Sequence, residues 1–309
     1  MRPSFKWNGK LMVFAKRIAA SVFFFITFIY ISILMSYSPT LFSVDVINNR
    51  IKLIGPNKEV VGFINEKFLS LLRINLGTTY DSKVLGEIVI PYIIKSIELL
   101  LLGILLGFIL GILKGIADSR RDGRDRSYRL LWSIIPLSLP DILMIAILQY
   151  IAIWLGKHGI PLLRVAGTGS ISHMILPVVA LALPCACYIA RITAVAIEEC
   201  YQDDYVKIAR GKGCSSQRIL WNHVMRNAMG TILKGLSNIT AMIICNMLIV
   251  EYLFSYPGLT MLLVKMHKNM DKSSFISIIV IWGVVYFSLD IVFQLASLAI
   301  NKNQVEEAA

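Results

Sequence analysis

Long apolar stretches separated by short polar connections form the main pattern of this chain. A membrane-spanning helix needs about 18 to 20 predominantly apolar residues, and about six stretches meet that length. They lie at about 11–36, 89–117, 130–155, 171–197, 229–254 and 275–300. The pattern predicts an all-α integral membrane protein with about six transmembrane helices.

Composition supports this prediction. The 309 residues are 56% hydrophobic and 16% charged, and a mean hydropathy of +0.69 exceeds what the surface of a water-soluble domain can carry. Basic residues precede the first stretch, as in a signal peptide, but the stretch is too long for one and lacks a small-x-small cleavage site. We therefore expect a retained N-terminal helix.

The net charge of +12 is unevenly distributed along the chain. Lysine and arginine concentrate before the first stretch, at 114–129 and at 207–226, whereas 156–170 holds only Lys157 and Arg164. Because basic connections stay in the cytoplasm, six crossings with both termini cytoplasmic satisfy the pattern. The charge therefore indicates topology, and we expect no nucleic-acid partner.

These boundaries divide the chain into regions. We expect an N-terminal transmembrane helix at 1–36, an extracellular or periplasmic loop region at 37–88, a core of five transmembrane helices at 89–300 with a cytoplasmic loop at 198–228, and a cytoplasmic tail at 301–309. In the outer region, "NNRIKLIG" and "KEVVGFI" flank the turn signal "GPN" and predict a hairpin, and "NEKFLSLLRINLG" predicts a short amphipathic helix. The region is either a docking site or a tether.

Glycine recurs at every fourth position of the second apolar stretch, at Gly103, Gly107, Gly111 and Gly115. On a helix these residues form one stripe of small residues, which lets another helix approach at backbone distance. We expect the stripe to pack inside a helix bundle, and it carries no chemistry.

Sequence motifs for catalysis, nucleotide binding or metal binding are scarce. The chain has no phosphate-binding loop, no H-E-x-x-H zinc motif, four scattered histidines and no cysteine spacing typical of a metal clamp. We therefore predict no catalytic residues, no metal site and no cofactor on this chain, and no ATP hydrolysis by the chain itself.

Ionisable residues inside the predicted membrane zone are Glu98, Asp141, Glu251 and Asp290, with Lys95 near a helix end. A charge at mid-bilayer costs about 2.5 to 3.5 kcal/mol or more, so these residues should face other helices or water. Asp141 and Asp290 are candidates for a pathway that accepts a cationic solute, such as the free amine of a peptide. The alternative is hydrogen bonding between helices or an interfacial position, which we favour for Lys95, for Glu251 and for Arg191, which also lies near a helix end.

The stretch "YQDDYVKIARGKGCSSQRIL" is polar although apolar stretches flank it. Its apolar positions Tyr205, Ile208 and Ala209 have helical spacing and predict a short helix over 203–210 with one apolar face. Two glycines end this helix, and a serine at 215 or 216 caps a second helix near Gln217. We expect a cytoplasmic helix-turn-helix elbow that inserts its apolar face into a cytosolic partner.

The same stretch resembles the cytoplasmic loop of permeases from ATP-binding cassette (ABC) importers of the dipeptide, oligopeptide and nickel family. That loop reads roughly Q-D-Y-V-x-x-A-R-x-K-G, followed by R-x-x-x-x-H-x-x-x-N-A. The matching residues are Asp204, Tyr205, Val206, Ala209, Arg210, Lys212, Gly213, Arg218, His223, Asn227 and Ala228. "ILPVVALALPCACYIARIT" at 175–193 resembles the family's fourth helix. "VEYLFSYPGL" at 250–259 resembles its membrane-entering loop near the outside, with Thr260 in place of a glycine.

The resemblance covers about residues 70 to 300 and implies a type I ABC importer permease fold in a bacterial inner (cytoplasmic) membrane. It implies a second, paralogous permease subunit, two ATP-binding subunits that hold ATP and magnesium, and an extracellular substrate-binding protein. The elbow would be the coupling helix that enters a cleft in the ATPase. The residues assigned to ATPase coupling are Asp204, Tyr205, Ala209, Arg210, Lys212, Gly213 and Arg218.

The function implied by the resemblance is uptake of di- or oligopeptides. The alternatives are import of nickel or a metal chelate by the same machinery, a stand-alone secondary transporter, and an intramembrane enzyme built on Asp141 and Asp290. A secondary transporter would show inverted repeats, which we do not find, and no group activates a nucleophile for the enzyme.

Overall fold

A computed structural model describes residues 5–47, 50–56, 58–119, 135–159, 164–167, 169 and 171–307. Its elements are α1 (Phe5–Leu41), β1 (Phe42–Ile47), β2 (Arg50–Pro56), α2 (Lys58–Leu72), α3 (Leu85–Ser119), α4 (Asp141–Lys157), α5 (Ile171–Gln202), α6 (Asp204–Gly211), α7 (Ser216–Arg218), α8 (Met225–Leu253), α9 (Leu259–Lys268) and α10 (Lys272–Glu307). A π-helix, Ile219–Val224, joins α7 to α8. The prediction of a helical fold is confirmed.

Five helical segments of the described chain are long and apolar enough to cross a membrane. They are Ala19–Ser38, Leu85–Ser119, Ile171–Gln202, Ser216–Leu253 and Lys272–Ser297, and they match five of the predicted spans. The span predicted at 130–155 falls partly on 120–134, which lies outside the described residues together with most of the basic connection at 114–129.

Within its described part, the third predicted span is not one continuous helix. Residues 135–138 are helical, the helix is interrupted at 139–140, and α4 then covers only 17 residues. Proline has no N–H to donate and a fixed φ, so a helix readily begins just after Pro140. Asp141, predicted in the middle of a span, is therefore the first residue of α4.

The chain divides into two compact units, Met1–Pro91 with Leu262–Phe287, and Tyr92–Met261 with Ser288–Ala309. In the first unit β1 and β2 form an antiparallel hairpin. A hairpin was predicted, but its pairing was wrong, because "KEVVGFI" belongs to α2. Ile64, Lys67 and Leu71 are buried at helical spacing in α2, and this burial outweighs the apparent alternation of a short segment.

The core of the first unit joins α1, α2 and α10, with Ile33, Ile64 and Ile276 among its buried residues. Lys67 is buried beside this core, and its ammonium donates to Ser273 Oγ at 2.7 Å and to Ser277 Oγ at 3.2 Å. Burial lowers the pKa of Lys67 below its ordinary value, and the carboxylate of Asp271 partly offsets this effect. Hydroxyl acceptors thus satisfy a buried lysine that holds α2 against α10.

In the second unit the glycine stripe of α3 packs on α5. A Cβ added to Gly103, Gly107, Gly111 or Gly115 would lie 2.9, 2.6, 2.7 or 2.5 Å from the Cβ of Leu181, Cys185, Ile189 or Thr193, respectively. Both sets of residues advance by four in the same direction, so the two helices run parallel and in register. On another side of α5, an added Cβ at Gly235 of α8 would overlap Ile192. Helix α5 is thus central to this unit.

We expect Gly111→Ala to destabilise the protein. The added methyl would press on Ile189 and lie 2.9 Å from the Ala186 carbonyl oxygen, which belongs to a rigid backbone. Overpacking of this kind costs about 1–3 kcal/mol. The measurement is the thermal unfolding midpoint of the detergent-solubilised protein.

Gly86→Ala is the matched control for this prediction. Gly86 lies in the same helix and an added Cβ there meets nothing within 4 Å, so its midpoint should stay unchanged or rise slightly. Equal midpoints for the two variants would contradict the close approach of α3 and α5.

Candidate functional site

Helices α6 and α7 form a short elbow between α5 and α8, as the sequence predicts. Helix α6 begins at Asp204, directly after the extended residue Asp203 (φ −68°, ψ 149°). Of the two serines proposed as a cap, Ser215 performs this role, since its Oγ accepts from the Arg218 N–H at 3.4 Å. The predicted helix boundaries are confirmed to within one residue.

Gly213 makes the turn between the two helices. Its φ of +76° lies in the left-handed region that favours glycine. The Cys214 N–H donates to the Ala209 carbonyl at 3.2 Å and the Gly213 N–H donates to the Arg210 carbonyl at 3.0 Å. This pair of bonds is a Schellman motif, which satisfies the last carbonyls of α6 and fixes the direction of the chain.

The apolar residues of α6 do not form the single face that the sequence predicted. Val206 is fully buried and Ala209 is 6% exposed, whereas Ile208 is 59% exposed. At 100° per residue, Ile208 lies about 200° from Val206 around the helix, so it faces away from the buried side. The helix is therefore held by Val206 and Ala209 and presents Ile208 outward.

The elbow also exposes several charged side chains. The exposed cationic residues of the elbow are Lys207, Arg210, Lys212 and Arg218. Lys207 donates to Asp204 at 2.7 Å, and this bond holds the pKa of the Asp204 carboxyl below its usual range. The Arg210 guanidinium lies 5.6 Å from the centroid of the Tyr201 ring. The exposed surface of the elbow thus combines one apolar side chain with four cations and the carboxylate of Asp204.

Tyr205, assigned to coupling from the sequence, is only half-buried. Burial raises the pKa of its hydroxyl to about 12, so the side chain is neutral at physiological pH. Tyr205 lies between the buried and exposed sides of α6, and its role in coupling stays a prediction.

The π-helix connects the elbow to α8. Ile219, Leu220 and Val224 are buried, so this segment anchors the elbow to the helix bundle. Its i→i+5 bonding is rare, and single π-turns inside long helices often mark functional positions. The π-helix could not be predicted from the sequence, because no residue type specifies a π-turn.

A second constellation lies at the other end of α8, around Glu251. This residue is fully buried, and its carboxylate accepts from the hydroxyls of Ser96 and Thr260. It also accepts from the backbone N–H groups of Thr260 at 2.8 Å and Met261 at 3.2 Å. Ser96 Oγ in turn accepts from the Leu259 N–H at 2.6 Å. The carboxylate therefore caps the N-terminus of α9 and ties α9 to α3 and α8.

This arrangement, which we call the Glu251 clamp, explains the resemblance motif "VEYLFSYPGL". A Cβ on Gly258 would overlap the Glu251 carboxylate, so the motif requires glycine there. The Tyr256 N–H donates to the Glu251 carbonyl at 2.8 Å, and Ser255 adopts a positive φ of 51° to close the turn. The structural interpretation of Glu251 is thereby confirmed, whereas its partners could not be read from the sequence.

The two acids proposed for a solute pathway have different surroundings. Asp290 is 9% exposed and accepts from the Ser237 hydroxyl and from Gln294 Nε2 at 2.7 Å. The Ser237 bond joins α8 to α10, as hydrogen bonding between helices predicts, whereas the Gln294 bond lies within α10. Asp141 is half-buried at the start of α4, where the helix dipole favours a carboxylate. A pathway role for either residue stays a prediction.

Comparison with known proteins identifies the family. Residues 84–302 match the family model described as the binding-protein-dependent transport system inner membrane component. The chain belongs to this family. It is therefore a multi-pass inner-membrane component of a transport system, and the matched region contains the elbow, the glycine stripe and the Glu251 clamp.

Similar curated proteins are peptide permeases by name. The probable peptide ABC transporter permease protein y4tP of Sinorhizobium fredii is 32% identical over 124 residues, 40% of this chain and 40% of the relative. The dipeptide transport system permease protein DppB of Bacillus subtilis is 28% identical over 167 residues, 54% of this chain and 53% of the relative. The oligopeptide transport system permease protein OppB of Salmonella typhimurium is 31% identical over 117 residues, 38% of each chain. The chain thus spans about half or less of these relatives.

A solved structure described as an amino acid ABC transporter with histidines is also similar. It is 18% identical, with a TM-score of 0.48, and the match covers 69% of this chain and 92% of that chain.

We expect Gly258→Ala to weaken the Glu251 clamp. The new methyl group would displace the carboxylate from the N-terminus of α9, and leaving such buried donors unsatisfied costs about 1–3 kcal/mol. The unfolding midpoint in detergent should fall. Gly156→Ala, at a helical glycine where an added Cβ meets nothing within 4 Å, should leave it unchanged.

A double variant sharpens this test. Glu251→Ala removes the group that the new methyl overlaps, so Gly258→Ala should cost less in that background than alone. Strictly additive effects would mean that the two residues do not interact.

Proposed function

We propose that this chain is the permease subunit of an ABC importer that takes up di- or oligopeptides. In the proposed complex it pairs with a second permease chain and rests on two ATP-binding subunits, which hold ATP and magnesium. An extracellular substrate-binding protein delivers the peptide. The chain itself contributes the membrane pathway and the coupling element, and no catalytic step.

The observation that carries this proposal is the geometry of the elbow. An exposed isoleucine on an elbow that also exposes four basic side chains suits docking against a partner surface that offers apolar contact and acidic groups. Ile208 is 59% exposed although it lies in a helix whose C-terminus is closed by a Schellman motif. The cost of this exposure is removed when a partner covers the residue.

Force would pass from the elbow into the bundle by two routes. Helix α6 follows α5 with one extended residue between them, and α7 continues through the π-helix into α8. Closure of the ATP-binding subunits would displace the elbow, and α5 and α8 would switch the pathway between outward and inward access.

We prefer peptides as the transported solute because of the names of the similar proteins. The relatives described above are named as peptide, dipeptide and oligopeptide permeases. No comparison favours nickel, a metal chelate or a stand-alone secondary transporter.

We expect Ile208→Asp to uncouple the importer. A carboxylate at the tip would be desolvated in the partner cleft, so peptide uptake by the reconstituted complex should fall by at least about tenfold, together with copurification of the ATP-binding subunits or coupled ATP hydrolysis. Ile74→Asp is the control, since Ile74 is 86% exposed and lies far from the elbow in sequence. Normal uptake and copurification with Ile208→Asp would contradict the proposal.

Two substitutions at Gly213 test the direction of the elbow separately from its surface. Gly213→Val should impair coupling, because a β-branched residue is strained at a φ of +76°. Gly213→Asn should retain most activity, because asparagine tolerates this conformation. An added Cβ here meets nothing within 4 Å, so equal loss in both variants would point to a role other than the turn.

A further inference from the structure

A cavity of about 360 Å³ lies in the second unit beside α3, at the N-terminus of α5 and at the loop after α8. Its lining residues are Lys95, Glu98, Gly169, Ile171, His173, Met174 and Tyr256. The volume is at the small end of ligand sites, which range from about 300 to 1,000 Å³. The cavity therefore suits a small solute.

The cavity and the elbow lie at opposite ends of α5. Ile171 and Met174 belong to the first turn of this helix, and the elbow follows its last residue, Gln202. With a rise of 1.5 Å per residue, the two ends are about 45 Å apart, more than the hydrocarbon thickness of a bilayer. If the elbow is cytoplasmic, the cavity faces the side on which a binding protein would deliver its solute.

Two opposite charges line the cavity. Lys95 and Glu98 are three residues apart on α3, so their side chains emerge on the same face with Cβ atoms about 5–6 Å apart. Within the part of the chain that the structure describes, they form no ion pair with each other. An ammonium and a carboxylate that do not pair with each other thus border one small space.

The other walls supply apolar contact and a fixed aromatic group. Ile171 and Met174 provide apolar surface, and Tyr256 is 4% exposed within the loop that the Glu251 clamp holds. Ser96, the clamp residue on α3, directly follows Lys95. The clamp therefore fixes the tyrosine wall relative to the charged wall.

We propose that this cavity binds a dipeptide or tripeptide with both termini free during its passage. Lys95 would hold the terminal carboxylate, Glu98 would hold the terminal ammonium, and Ile171 and Met174 would contact the side chains. Peptides of two or three residues extend over about 7–11 Å, which the two long side chains can bridge. The inference rests on the proposed function and narrows its solute class.

The test is uptake of radiolabelled dialanine and trialanine by proteoliposomes that contain the full complex and its substrate-binding protein. Lys95→Met and Glu98→Gln should each lower uptake at least tenfold, while the ATP-binding subunits still copurify. Lys157→Met and Glu87→Gln are the matched controls, because both residues are exposed and lie outside the cavity. These controls should transport like the parent protein.

A charge exchange separates recognition from mere structural damage. Lys95→Glu alone should abolish uptake, whereas Lys95→Glu combined with Glu98→Lys restores both charges to the cavity and should return uptake to within about threefold of the parent. A double variant as inactive as the single one would overturn the site.

The experiment distinguishes failure of the cavity inference from failure of the proposed function. If the parent complex takes up the peptides and the Lys95 and Glu98 variants transport like the controls, the cavity inference fails and peptide import stands. If the parent complex takes up neither peptide, the proposed function fails and the inference fails with it.

Discussion

The contact between α3 and α5 at backbone distance is the constraint on which the second unit depends. Lipid gives helices no hydrophobic reason to associate, so close packing must supply the attraction. Gly107 and Gly111 leave no side chain between the two backbones, and each hypothetical methyl would meet both a side chain and a carbonyl of α5. The contact also determines the positions of Ser96, near one end of the two helices, and of the elbow, which follows the other end of α5.

The Glu251 clamp satisfies the backbone groups at the start of α9, which the glycine contact does not reach. Helix α9 begins inside the protein, and its first N–H groups would be unsatisfied without an acceptor. One carboxylate accepts from two of them and from two hydroxyls, so a single buried acid organises three helices. Thr260 contributes one of these hydroxyls, so its side chain and its backbone N–H both bind the same carboxylate.

The sequence is most informative where local rules decide the structure. Gly213 and Ser215 could be assigned because left-handed turns and helix caps depend on the residue itself. Ile208 was placed wrongly, because in an eight-residue helix the buried side depends on which neighbours it meets. The segment "KEVVGFI" is predicted as a strand because its four apolar residues in seven fit the two-residue period of a strand as well as the 3.6-residue period of a helix.

Long-range features of the candidate sites were less accessible to prediction. Glu251 was correctly expected to hydrogen-bond between helices, but Ser96 lies 155 positions away along the chain, and no spacing rule joins them. Lys95 and Glu98 stand out in the sequence as charges in an apolar stretch. The sequence does not indicate that His173 and Tyr256 line the same cavity, because only the fold brings them together.

Helix α5 has a mechanical consequence, because it runs unbroken for 32 residues past Pro177 and Pro184. A rod about 45 Å long that tilts by about 10° at one end moves its other end by roughly 8 Å. Helix α3 is locked alongside α5 and must travel with it, so the walls that carry Lys95 and Ile171 keep their spacing during such a tilt. The Glu251 clamp ties the loop that carries Tyr256 to α3, so all walls of the cavity would be displaced together with the lever.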